Sequence, residues 1–190
     1  MTANTASARD QCGDSAALQR AHDALVAGAG YLIARAAQPC VAGTIMPNVR
    51  LRRSGNCLNE LDRFLSVMIG ECARLAGIVE AGVPIDDAED MPRRIDNARR
   101  LRRIEKHCGV ETGATNRLLA IARIRNLACG DSLQRPGVWL ERDMAVATAG
   151  AVAIVAHPTQ APEISDLALA VMAEFYVSIA DRLLAFFAPG

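Results

Sequence analysis

The chain has 190 residues, 51% apolar and 22% charged, with 21 Lys plus Arg balancing 21 Asp plus Glu. This balance belongs to an ordinary folded protein and excludes a disordered chain, a collagen, a coiled-coil rod and a membrane-embedded protein. A net charge of zero gives no global field toward nucleic acid or an anionic membrane, and 4% aromatics leaves few rings for stacking bases.

The opening stretch MTANTASARDQCGDS has no apolar core of the secretory kind. The longest apolar run, Met144 to Ala156, falls short of the roughly 18 residues a membrane span needs. A cytoplasmic location away from membranes is therefore expected. Six cysteines, at 12, 40, 57, 72, 108 and 129, show no CxxC and no His at zinc-finger spacing. Free thiols are expected, with no metal site and no cofactor.

Residues 1–14 are expected to be disordered. Helical spacing then dominates from Ser15 to about Ala37, through Leu18, Leu25, Val26, Ala29, Leu32 and Ile33. Pro39, Gly43, Pro47 and Gly55 read as a long loop. A second helix, from about Asn56 to Ala81, carries the stripe Leu58, Leu61, Leu65, Met68, Ile69, Cys72 and Leu75, and Gly82 and Pro84 stop it. The acidic run Asp86 to Asp90 and Pro92 precede a third helix with Ile95, Ala98, Leu101, Ile104 and Cys108 inward, ending at Gly109. Thr112 or Thr115 is positioned to cap a fourth, with Leu118, Leu119, Ile121, Ala122 and Ile124, ending near Gly130.

Residues 137–156 are ambiguous: two short strands forming a β-hairpin or one buried helix both fit. Pro162 opens a last helix with Ile164, Leu167, Val171, Phe175, Ile179, Leu183 and Phe186 expected inward. The expected fold is a single all-α domain, an antiparallel bundle of about five main helices.

The overall neutrality hides a local imbalance. Between Met91 and Arg125 ten basic residues stand against Asp96, Glu105 and Glu111. Folded as a helical hairpin, this segment would present Arg99, Arg102, Arg103, Lys106 and Arg123 as a positive face able to bind phosphates of RNA or DNA. A plain solvated helix face is the competing reading.

The fourth helix ends RIRNLACG, residues 123–130. This resembles the signature of HEPN domains, in which an Arg and a polar residue precede a His and often a Gly. The resemblance covers mainly residues 56–187, and its specific part is about eight residues. It implies a small α-helical homodimer of toxin–antitoxin or defence systems, a nucleotidyltransferase-type antitoxin as partner, and metal-independent RNA cleavage in a shared cleft. On that pattern Arg125 matches the motif Arg, Asn126 the polar residue, and Cys129 stands where the family has His.

Cys129 departs from the pattern chemically. An imidazole titrates near pH 6.5 and can both accept and donate a proton, whereas a thiol at about 8.5 is mostly protonated and bonds weakly. RNA or partner-protein binding is therefore expected, with ribonuclease activity impaired or lost. At i,i+4 spacing Arg125 and Cys129 share a helix face. Arg125 also fits a boundary arginine bonding a neighbouring carboxylate, and Cys129 a small buried residue.

Other readings differ in class. His22 within AHDALVAG loosely resembles a phosphotransfer histidine but lacks the following Lys. His107 reads as a helix-end histidine, and His157, before Pro158, as part of a turn. A helical ligand-binding or structural protein with no nucleic-acid role is the alternative to the family reading.

Overall fold

The computed structural model describes residues 4–37, 47–78, 96–130, 138–152 and 164–188. They form α1 (Asn4–Ala36), α2 (Pro47–Leu75), α3 (Asn97–Cys108), α4 (Thr115–Ala128), α5 (Val138–Ala147) and α6 (Asp166–Phe187). No strand occurs among the described residues; of the ambiguous stretch, Val138–Ala147 forms α5, residues 148–152 are turn and bend, and the rest lies outside the described residues. The fold is all-α.

All six helices contribute to one hydrophobic core. Leu58, Leu61, Leu65, Met68, Ile69 and Cys72 of α2 are fully or almost fully enclosed. Leu18, Leu25, Ala29 and Leu32 of α1 face them, with Leu101 and Ile104 of α3 and Leu118, Ile121 and Ile124 of α4. No described helix is long and apolar enough to cross a membrane.

Polar contacts fix how neighbours run. His22 meets Asp181, and Arg35 meets Asp166, so α1 and α6 are antiparallel. Arg123 bonds Asp143, and Arg117 Nε donates to the Ala147 carbonyl at 2.6 Å, so α4 and α5 are antiparallel. Asn97 bonds residue 62 and Arg100 bonds Ser66, so α3 runs parallel to α2.

Four expectations are corrected. The first helix begins at Asn4 rather than Ser15. The stretch read as a disordered tail is polar and has no apolar stripe, and it continues the helix that Leu18 and Leu25 anchor to the core.

Second, α2 begins at Pro47, inside the expected loop, and stops at Leu75 rather than Ala81. Proline is favoured at a first helical position, and the Gly55 that read as a loop signal is a packing glycine. A methyl group there would meet Ala128 Cβ at 2.9 Å and Cys129 Sγ at 3.0 Å, so α2 and α4 cross too closely for a side chain.

Third, neither Thr112 nor Thr115 caps α4 as expected. Ala114 is the N-cap and has no side-chain bond, while the Thr112 hydroxyl accepts from the Ala114 amide at 3.2 Å and donates to Glu105.

Fourth, the α6 stripe is rotated. Ala168, Met172, Ala173, Tyr176, Ile179, Ala180 and Leu183 are buried, whereas Leu167 and Phe186 are exposed and Phe175 is half-buried. The small Ala residues let α1 and α2 approach, so the interior face is the alanine-rich one rather than the bulkiest one. The helix starts at Asp166, with Ser165 accepting from the Ala168 amide.

Helix ends differ in one telling way. After α2, the Gly77 amide bonds the Arg74 carbonyl and the Ile78 amide reaches back to Ala73, with Gly77 at φ +65°. After α5 the same pair of bonds forms, from Ala149 to Val146 and Gly150 to Ala145, but the left-handed position is held by Ala149 at φ 52°. A Cβ in this conformation costs about 1 kcal/mol. Ala149→Gly should therefore stabilise the protein by about 1 kcal/mol in urea denaturation; an unchanged or lower midpoint contradicts the assigned turn.

Candidate functional site

The motif helix α4 lies against α2, and that contact decides where its polar residues go. Arg125 is buried, 5% exposed, as is Asp62 of α2 at 4%. Its Nη1 donates to Asp62 Oδ2, and its Nε and Nη2 donate to Asn126 Oδ1 at 3.3 and 3.1 Å. The second carboxylate oxygen, Oδ1, accepts the Tyr176 hydroxyl of α6 at 2.6 Å and the Asn97 amide of α3 at 3.2 Å. Asn97 also donates to the Asp62 main-chain carbonyl at 2.7 Å, while its own Oδ1 has no partner. Four helices thus converge on one carboxylate.

The electrostatics follow from this enclosure. Burial pushes the Asp62 carboxyl above the ordinary carboxylate range, and the Arg125 charge and the Tyr176, Asn97 and Arg125 hydrogen bonds pull against it. Burial, and then the Asp62 charge, push the Tyr176 phenol well above its usual value, so it stays a donor. An ion pair out of water is tolerable only when its lone pairs and protons are satisfied, and here they nearly all are.

Arg125 and Cys129 do share a face of α4, as their spacing requires, but it is the face packed on α2. Cys129 is half-buried, with its Sγ against Gly55. Asn126 is half-buried and occupied by Arg125. The structure therefore brings the three motif residues together against α2, with Arg125 sealed and Asn126 and Cys129 partly exposed. Arg125 has its anion within its own chain, and a phosphodiester would have to displace Asp62 to reach it.

Sequence reasoning missed Asp62, Asn97 and Tyr176. Asp62 carried a signal: it stands in phase with Leu58, Leu65 and Ile69, where a carboxylate must have a partner.

The basic residues divide. Arg99, Arg102, Arg103 and Lys106 are exposed on the outer side of α3. Nearby acids are engaged elsewhere: Asp96 accepts the Arg99 amide at 3.0 Å as N-cap, and Glu105 accepts the Thr112 amide at 3.0 Å. Arg123 is not part of this face. Its guanidinium makes a two-pronged bond with Asp143 of α5, at 2.6 and 2.7 Å. Arg117 lies 4.2 Å over the Phe175 ring and bonds the carbonyls of Ala147 and Val171. Val49, Arg52, Arg53 and Asn56 line a shallow depression on α2.

Among the histidines, His22 has both ring nitrogens against carboxylates, Asp181 at 2.8 Å and Asp23 at 3.2 Å. Two flanking anions oppose a phosphoryl group there. His107 is exposed at the end of α3, and His157 lies outside the described residues. No protein-family model, curated protein or solved structure matches the chain.

Two predictions follow from this geometry. Asp62→Ala strands a buried guanidinium and should cost about 3–5 kcal/mol of unfolding free energy. The combined Asp62→Leu, Arg125→Met, Tyr176→Phe chain should regain most of that loss, because Asn97 keeps the main-chain carbonyl of residue 62. A single variant as stable as the parent chain contradicts the network.

For His22, burial lowers its pKa, but the hydrogen bonds to Asp181 and Asp23 outweigh this and raise it above 6.5. Its stabilisation is fully present below pH 6.5 and is lost as pH rises through the higher folded-state value. Urea midpoints should fall over that window in the parent chain and stay flatter in His22→Gln; parallel pH curves contradict the pairing.

Proposed function

We propose that this chain is an RNA-binding helical protein, similar to HEPN domains, that uses α3 to hold the phosphate backbone and has lost ribonuclease activity. The observation that carries this reading is the contrast among its cations. Arg63, Arg74 and Arg123 each have a carboxylate partner, at 2.8, 2.8 and 2.6 Å. Arg99, Arg102, Arg103 and Lys106 have no side-chain partner among the described residues, nor do Arg20, Arg52 and Arg142, but the four on α3 stand together on one helix face. At helical spacing they are like-charged neighbours, i,i+3 and i,i+4, each pair costing about 0.2–0.5 kcal/mol. A bound polyanion removes that repulsion.

Loss of cleavage follows from Arg125 being committed to Asp62 and from a thiol at the position of the family's imidazole. The resemblance further suggests a homodimer and an antitoxin partner of the nucleotidyltransferase type, in a toxin–antitoxin or defence setting. The second reading, a helical structural protein with no nucleic-acid role, is favoured by the same Asp62–Arg125 pair, which gives the motif Arg a complete structural task.

Fluorescence anisotropy with labelled RNA at several salt concentrations separates them. Binding should weaken with salt, and Arg99→Glu, Arg102→Glu and Arg103→Glu together should weaken it at least tenfold and flatten the slope by about two to three. The RNA should be recovered uncut. An unchanged slope supports the structural reading, and cleavage of the RNA by the parent chain but not by Arg125→Met contradicts the lost activity.

A further inference from the structure

We infer that the outer face of α3 holds a nucleic-acid double helix along its phosphates, without reading bases. This rests on the RNA-binding reading above and narrows it to a substrate class.

The first argument is what surrounds the face. Binding of single strands draws on aromatic rings on which unstacked bases lie, worth about 1–3 kcal/mol per base. Helices α3 and α4 contain no Phe, Tyr or Trp, and the one ring on this face is the small His107 imidazole at its end. Helix α2, against which α3 packs, has only Phe64, which is half-buried and turned to Gly28 of α1. The exposed aromatics among the described residues, Tyr31 and Phe186, belong to α1 and the end of α6. The platform that a single strand needs is missing beside these cations.

The second argument is rigidity and spacing. Helix α3 is stopped at both ends, by Asp96 at its start and by Gly109 in a left-handed conformation at its end. It is tied to α2 through Asn97 and Arg100. Arg99, Arg102, Arg103 and Lys106 therefore form a fixed row spanning about 10 Å at 1.5 Å per residue. A stiff row of cations matches a stiff row of phosphates, and a duplex offers the denser array, about one charge per 1.7 Å of axis.

The third argument is chemical. The exposed side chains of α3 are Arg99, Arg102, Arg103, Lys106 and His107, with no Asn, Gln, Asp or Glu to read adenine or cytosine, so guanine is the one base such a row could pair and the scrambled sequences test that pairing. These groups suit phosphate oxygens, whose contacts position a protein and carry no sequence information.

The experiment compares equal lengths of RNA duplex, DNA duplex and single-stranded RNA, each in two scrambled sequences, across a salt series. Duplex should bind at least about tenfold tighter than single strand, scrambling should change affinity less than threefold, and four phosphate contacts give a log–log salt slope of about −3 to −4. The tighter of the two duplexes identifies the source of the phosphates. Arg103→Glu should weaken duplex binding and Arg20→Glu, on α1, should not. Arg103→Glu also creates attractive pairs with Arg99 and Lys106, so it keeps α3 folded. Single strand binding as tightly as duplex, or strong dependence on sequence, overturns this inference while leaving RNA binding in place. No binding to any of the three overturns both.

Discussion

The constraint on which the rest of the structure depends is one buried charge, the carboxylate of Asp62. Apolar stripes bring six helices together but say little about which turn faces which, since Leu and Ala contacts tolerate sliding. A charge removed from water does not. Asp62 must meet Arg125 of α4, Tyr176 of α6 and Asn97 of α3 at once, within 3.2 Å on its Oδ1 side. Any slip of one helix leaves a buried polar group without its partner, at a cost of about 1–3 kcal/mol or more. The pair therefore sets the register of α2, α3, α4 and α6 more than it adds net stability.

That constraint sorts the arginine-rich segment into separate tasks. Arg125 braces the interior, Arg117 ties α4 to α5 and α6, Arg100 ties α3 to α2, and Arg123 bridges to Asp143. What is left over among the described residues is the outer row of α3. The local excess of positive charge is thus no uniform patch. Among the described residues, part of it is consumed in holding the helices in place, and the rest is concentrated on one short, rigid rod. The functional proposal shifts accordingly, from the motif arginine to that row.

Much of this was legible in the sequence where periodicity and burial agree. The α2 stripe from Leu58 to Cys72, the α3 stripe and the Gly109 stop are all recoverable, because each helix there has one apolar face and a clear end. Legibility failed where small residues did the packing. In α6 the eye follows Leu167 and Phe175, yet the interior is lined by Ala168, Ala173 and Ala180, since close approach of α1 and α2 favours alanine over bulk. Gly55 looked like a loop residue for a related reason: a glycine that makes room for another helix and one that makes a turn are the same letter. The site was half legible. Arg125 was visible as a polar residue in helical phase and its bonding to a carboxylate was one of the two readings, but which carboxylate takes it depends on a contact 63 residues away in sequence.

The most direct test of the account is nuclear magnetic resonance of the arginine side chains in the uniformly nitrogen-labelled protein. The account predicts that the Arg125 guanidinium protons exchange with water far more slowly than those of Arg99, Arg102 and Arg103, and that Asp62→Asn shifts the Arg125 signals while leaving those three unmoved. Arg125 protons exchanging as fast as those of the α3 row would contradict it, and would return the motif arginine to solvent.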